Sequence, residues 1–214
     1  MYQVGFGEKL AKPLMQHVIF NERSVKMMVF RRCILSILVI TFFVIVTNAS
    51  ASQKANNSLI QGALTGNIKL VKKALKSGAD VNAKESSKGN TALMLAAYYK
   101  HHEMVDLLIQ SNANVNERDL EKNTALMKAA WSGGVKSAEL LIKANADINA
   151  KEINGMTALM VASFYGHIDI VKLLVQANCD ISVKDNDGYT ALMNAQDQKH
   201  TDVIEYLKRI DNPN

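Results

Sequence analysis

Cysteine is scarce in these 214 residues: there are two, Cys33 and Cys179. Cys33 lies in an uncharged apolar run of fourteen residues, 33–46, with Arg31 and Arg32 before it and Ala49-Ser50-Ala51 after it. A positive flank, an apolar core and an Ala-x-Ala end are the three parts of a secretory signal peptide, and the core falls short of the ~20 residues a spanning helix needs. Cleavage after Ala51, with Ala49 and Ala51 as the recognition pair, leaves Cys179 alone and excludes an intrachain disulfide. Cys33 follows Arg32 rather than a small residue, which argues against lipid attachment. Residues 1–26 are a long polar lead that fits a leader badly. Met27 or Met28 gives a conventional start, so 1–26 are expected to be an over-extended frame, 27–51 the signal peptide and 52–56 a linker.

Net charge is lacking too, once the leader is set aside. Residues 1–51 hold six basic and two acidic residues, so four of the five net positive charges lie there and +1 remains. That balance excludes the basic footprint of a nucleic-acid binder.

Catalytic and metal motifs are also missing. There is no glycine-rich phosphate loop and no nucleophile elbow. His102-Glu103-Met104-Val105-Asp106 begins like a zinc-protease helix but ends on aspartate where the second histidine belongs. Asp185-Asn186-Asp187-Gly188 fails as a calcium loop, because Val183 and Asn194 occupy the two ligand ends; it reads better as a turn. His101, His167 and His200 recur at one register, about 10 Å apart if successive units stack, too far to share a metal. They read as turn residues. No enzyme activity, cofactor or metal is expected.

What the chain has is a ruler. Thr-Ala-Leu-Met occurs at 91–94, 124–127, 157–160 and 190–193, every 33 residues. Three full units follow, 91–123, 124–156 and 157–189, with a shorter 190–214 and an upstream 57–90 that carries one extra residue. Within each unit, apolar spacing predicts a short first helix (Leu93, Ala97) and a second helix (Val105, Leu108, Ile109). Neither is long enough to stand alone, so each unit must bury its face on the next.

The period and the word resemble the ankyrin repeat, whose signature is Thr-Pro-Leu-His-x-Ala. Gly78–Lys84, Asn145–Lys151 and Gly166–Val175 strengthen the resemblance, which covers about residues 57–210. It implies an all-α solenoid of about five helix-turn-helix units joined by β-hairpin loops. Two departures stand out. Alanine replaces the family's proline at little cost, being the best helix former. Methionine replaces its histidine, so the side-chain bond to the motif threonine is expected to be missing, with packing in its place. Cys179 takes a small packed position held by alanine in other units, and reads as a small hydrophobe.

The resemblance also implies which residues face a partner. The two positions after the motif's Ala-Ala lie on the family's concave face. Here they include Tyr98, Tyr99, Trp131, Ser132, Phe164 and Tyr165; Met156 and Tyr189 stand at the hairpin. Six of the seven aromatics beyond residue 51 fall on these positions, the seventh being Tyr206. Exposed Tyr and Trp dominate interface hot spots. The expectation is an exported, monomeric, non-catalytic module, periplasmic or secreted, that binds an unknown protein and no nucleic acid. The alternatives are a stack held at the membrane by an uncleaved leader, and a small-molecule or enzymatic role in the groove.

Overall fold

The computed structural model describes residues 49–211. The polar lead and the leader expected over 1–51 thus lie outside the described residues, except Ala49 to Ala51, which are exposed and helical. Residues 52–214 form a unit of their own. Its helices are α1 (52–65), α2 (Ile68–Lys76), α3 (Ala92–Tyr98), α4 (His102–Gln110), α5 (Ala125–Ser132), α6 (Val135–Lys143), α7 (Ala158–Phe164), α8 (Ile168–Gln176), α9 (Ala191–Gln198) and α10 (Thr201–Asp211). Residues 52–56, expected as a linker, are helical; Ala55 is buried and Asn56 Oδ1 accepts from Asp80 N at 2.9 Å. None of the described helices is long and apolar enough to cross a membrane.

The helices pack in two layers. From α3 to α9 each first helix packs on the next first helix, and from α4 to α10 each second helix packs on the next second helix. The repeated word explains the first layer. Thr91, Thr124, Thr157 and Thr190 hold extended backbone and cap their helices; each Oγ1 accepts from the methionine N–H three residues on, at 3.3–3.4 Å. A cap of this kind, buried at Thr91, Thr124 and Thr157, satisfies a donor that the helix end would otherwise strand.

The methionine departs from expectation. Met94 Sδ and Met160 Sδ accept from Thr91 N and Thr157 N at 3.5 Å. The side-chain bond expected to be missing is therefore replaced, in two units, by a weak bond to sulfur. Met94, Met127 and Met160 are buried, whereas Met193 is 45% exposed because no further described unit covers it.

The segments between units are closed turns. Among the described residues there is no strand, only an isolated antiparallel bridge between Lys84 and Thr91. Glu85, Asp119, Glu152 and Asp185 each accept backbone N–H groups of their own turn, for example Asn123 N on Asp119 at 2.7 Å. The turns are also tied to one another: Leu120 N, Ile153 N and Asn186 N donate to Lys88, Glu121 and Asn154 carbonyls at 2.9 Å. A parallel ladder runs through the loops after the second helices. Asn82, Asn116 and Asn149 Oδ1 accept from Asn114, Asp147 and Asp180 N, one unit on. This rung explains the recurring Asn-x-Asn and Asp-x-Asn pattern, and why serine suffices at 182, where no described unit follows.

A second rule joins glycine to histidine. Gly66, Gly133 and Gly166 have φ of 68°, 74° and 71°, and a Cβ on them would meet the rings of His101, His167 and His200 within 2.9 Å. The rings clasp the preceding unit: His167 Nε2 lies 3.1 Å from Trp131 O and His200 Nε2 3.0 Å from Phe164 O. A carbonyl can only accept, so Nε2 carries the proton in these bonds. At the same register Lys100 (φ 61°) replaces glycine, and there the next unit offers Gly134 rather than a histidine. Ring and glycine go together. Gly166→Ala is therefore expected to lower stability by about 2–3 kcal/mol, from left-handed strain plus the clash with His200. Adding His200→Gly should return the clash part, as read by urea unfolding. Equal stability of Gly166→Ala and wild type would contradict the clasp.

Candidate functional site

Helices α3, α5 and α7 bury the alanine, leucine and methionine of the motif, which leaves their C-terminal residues pointing out of the stack. Tyr98, Tyr99, Trp131 and Tyr165 are 37–48% exposed. Their rings join into one chain. Tyr99 meets Tyr98 edge-on at 5.1 Å, Tyr98 meets Trp131 edge-on at 6.0 Å, Trp131 stacks on Tyr165 at 5.7 Å, and Tyr165 meets the half-buried Phe164 at 5.1 Å. His101 and His167 stack on Tyr99 and Tyr165 at 6.2 Å, and His167 is held there by its bond to Trp131 O. Each such contact restricts a ring without covering it.

A groove of about 420 Å³ lies beside this chain, lined by Ile60, Leu64, Leu95, Tyr98, Tyr99 and Trp131 on its apolar wall. Its polar rim is the turn 85–90 together with Lys128. Burial alone would raise the Glu85 carboxyl, but bonds from Ser87, Lys88 and Asn90 outweigh it and bring it down to about 2. This carboxylate is charged at any physiological pH.

Lys128 was not legible as a site residue. It stands where other units have Leu95, Val161 and Asn194, and that mismatch was the available signal. Its Nζ lies 2.7 Å from the buried Asp119 carboxylate and 5.9 Å from the centre of the Trp131 ring. The pair ties the turn 119–123 to the helix that carries the tryptophan.

The other expected partner residues divide. Ser132 is turned to structural use: its Oγ donates to Ala97 O at 3.3 Å and Ala129 O at 3.2 Å. Met156 is half-buried and packs on the core, while Tyr189 is 40% exposed. At their register Asn90 and Asn123 are buried, bonded to Glu85 and Asp119. The turn tips add Leu120 and Ile153, 70% and 54% exposed. Cys179 lies apart and is half-buried; burial, then the nearby Asp180, pushes its thiol up to about 11, so it stays protonated. Among the described residues no group of three or more His, Cys, Asp or Glu is placed to hold a metal ion.

A family model describing ankyrin repeats, in three copies, matches residues 59–152 and 147–214. Comparison with the curated proteins finds no match.

Proposed function

The chain belongs to the ankyrin repeat family, and from that premise we propose that it is an exported module binding one protein partner along the aromatic face of α3, α5 and α7. Members of this family are interaction modules that typically do no chemistry. The observation that carries the reading is the ring chain from Tyr99 to Phe164. It gathers Tyr98, Tyr99, Trp131, Phe164 and Tyr165 on one side of the stack, and four of the five rings are exposed. Rings held by neighbours lose little freedom on binding, so more of the contact energy survives as affinity. Leu120, Ile153 and Tyr189 extend the apolar surface toward the turns.

We read the stack as five units acting as a monomer, with the turns between units as the family's hairpins. Export rests on Arg31–Arg32, the apolar run 33–46 and Ala49-Ser50-Ala51. Retention of that run would instead anchor the same face at a membrane.

Photo-crosslinking in expressing cells tests the reading. A benzoylphenylalanine in place of Tyr165 is expected to trap a protein partner, and the same group at Gln110, on the second-helix layer, is expected to trap none. The crosslinked chain is expected to begin at Ser52. The reverse crosslinking pattern would contradict the proposed face, and a membrane-bound chain that keeps the apolar run would contradict release.

A further inference from the structure

The outward face of α2 is a stripe of lysines. Lys69, Lys72, Lys73 and Lys76 are all exposed, while Val71 and Ala74 on the opposite side are buried. The four positions are i, i+3, i+4 and i+7, so they lie on one face, within about 10 Å of helix length. α2 holds no acidic residue, and no ion pair reaches these lysines among the described residues. The other second helices differ: α4 carries Glu103 and Asp106, α6 Glu139, α8 Asp169, and α10 Asp202 and Glu205. Like charges three and four residues apart repel and weaken a helix, and Lys69 sits at the positive end of the helix dipole. Lys73 and Lys76 lie in the last turn, where the dipole favours them, so what opposes the helix is the mutual repulsion of the four and the placing of Lys69. Nor does the stripe reflect the bulk charge, since residues 52–214 are close to neutral.

We propose that this stripe docks the N-terminal end of the stack on an anionic phospholipid surface. A bilayer presents a flat plane of negative charge, and a straight row of four ammonium groups matches it. The apolar run that ends at residue 46 precedes Lys69 by 23 residues, so the chain brings this helix to a membrane during export. Nucleic acid fits less well, because residues 52–214 as a whole are close to neutral and lack the excess of basic residues expected of a nucleic-acid binder. Docking through α2 leaves the aromatic face on the first-helix layer free for its partner, and it holds with the leader removed or retained.

The test is co-sedimentation of the full chain with vesicles of phosphatidylcholine, with and without phosphatidylglycerol. The apolar run can enter both kinds of vesicle, so the readout is the ratio of the two partition coefficients. Each lysine at an anionic surface contributes about fivefold. Changing Lys69, Lys72, Lys73 and Lys76 together to glutamine is expected to reduce the ratio by roughly several hundredfold, with the melting temperature retained. Four arginines should preserve the ratio, and raised salt should erase it. A glutamine variant that keeps the preference overturns the proposal. So does a wild-type chain with no preference for the anionic vesicles, including one that binds duplex DNA through the same lysines.

Discussion

Trp131→Ala is expected to weaken partner binding by about thirtyfold or more, the loss that marks an interface hot spot at about 2 kcal/mol. Two costs have to be separated. The ring contributes to folding through its contacts with Tyr98 and Tyr165. Aromatic pairs contribute about 0.5–1.5 kcal/mol each, so stability should fall by about 1–3 kcal/mol and the melting temperature by only several degrees. At assay temperature the variant remains folded, and the affinity loss belongs to the interface. Titration calorimetry beside thermal unfolding checks both numbers. Unchanged affinity would remove Trp131 from the binding face and leave it as a side support of the stack.

Asp119→Ala is expected to cost about 3–5 kcal/mol, the usual consequence of stranding a buried charge. Its carboxylate accepts from Glu121 N, Asn123 N and Asn123 Nδ2 and pairs with Lys128, so its loss orphans several buried groups together. Lys128→Leu should cost less. Leucine already occupies that register at Leu95, and Glu152 and Asp185 close their turns without a lysine partner. Lys128→Leu leaves the Asp119 carboxylate buried without its cation, which carries a cost of its own, but that carboxylate keeps the N–H donors of Glu121 and Asn123, so the loss stays below that of Asp119→Ala. Urea unfolding of both variants and of the double change gives the coupling. Equal costs for the two single changes would contradict this division of labour.

The layered all-helical stack was legible because its cause is local. A capping threonine, an alanine-leucine face and a fixed period each follow from one stretch of chain. Long-range pairing was harder to see. The matching of Gly66 with His101, Lys100 with Gly134, Gly133 with His167 and Gly166 with His200 is present in the sequence, but it acts between units and needs the stack to give it meaning. Lys128 and Asp119 meet because a turn folds back on the next helix, and no spacing rule announces that. Register alone groups Ser132 with the partner face. A short hydroxyl can reach back to the preceding unit, and here it does. The methionine sulfur standing in for a histidine was visible as a substitution, while its bond to the threonine N–H required geometry.

The clasps, ladders and caps serve the stack, and on the proposed function the exposed rings serve a partner. The most direct test is affinity capture from an envelope extract with the wild-type chain beside the Tyr99→Ala/Trp131→Ala/Tyr165→Ala variant, each shown to melt cooperatively. The predicted result is a protein retained by the wild type and lost from the variant. Equal recovery from both folded chains would contradict it.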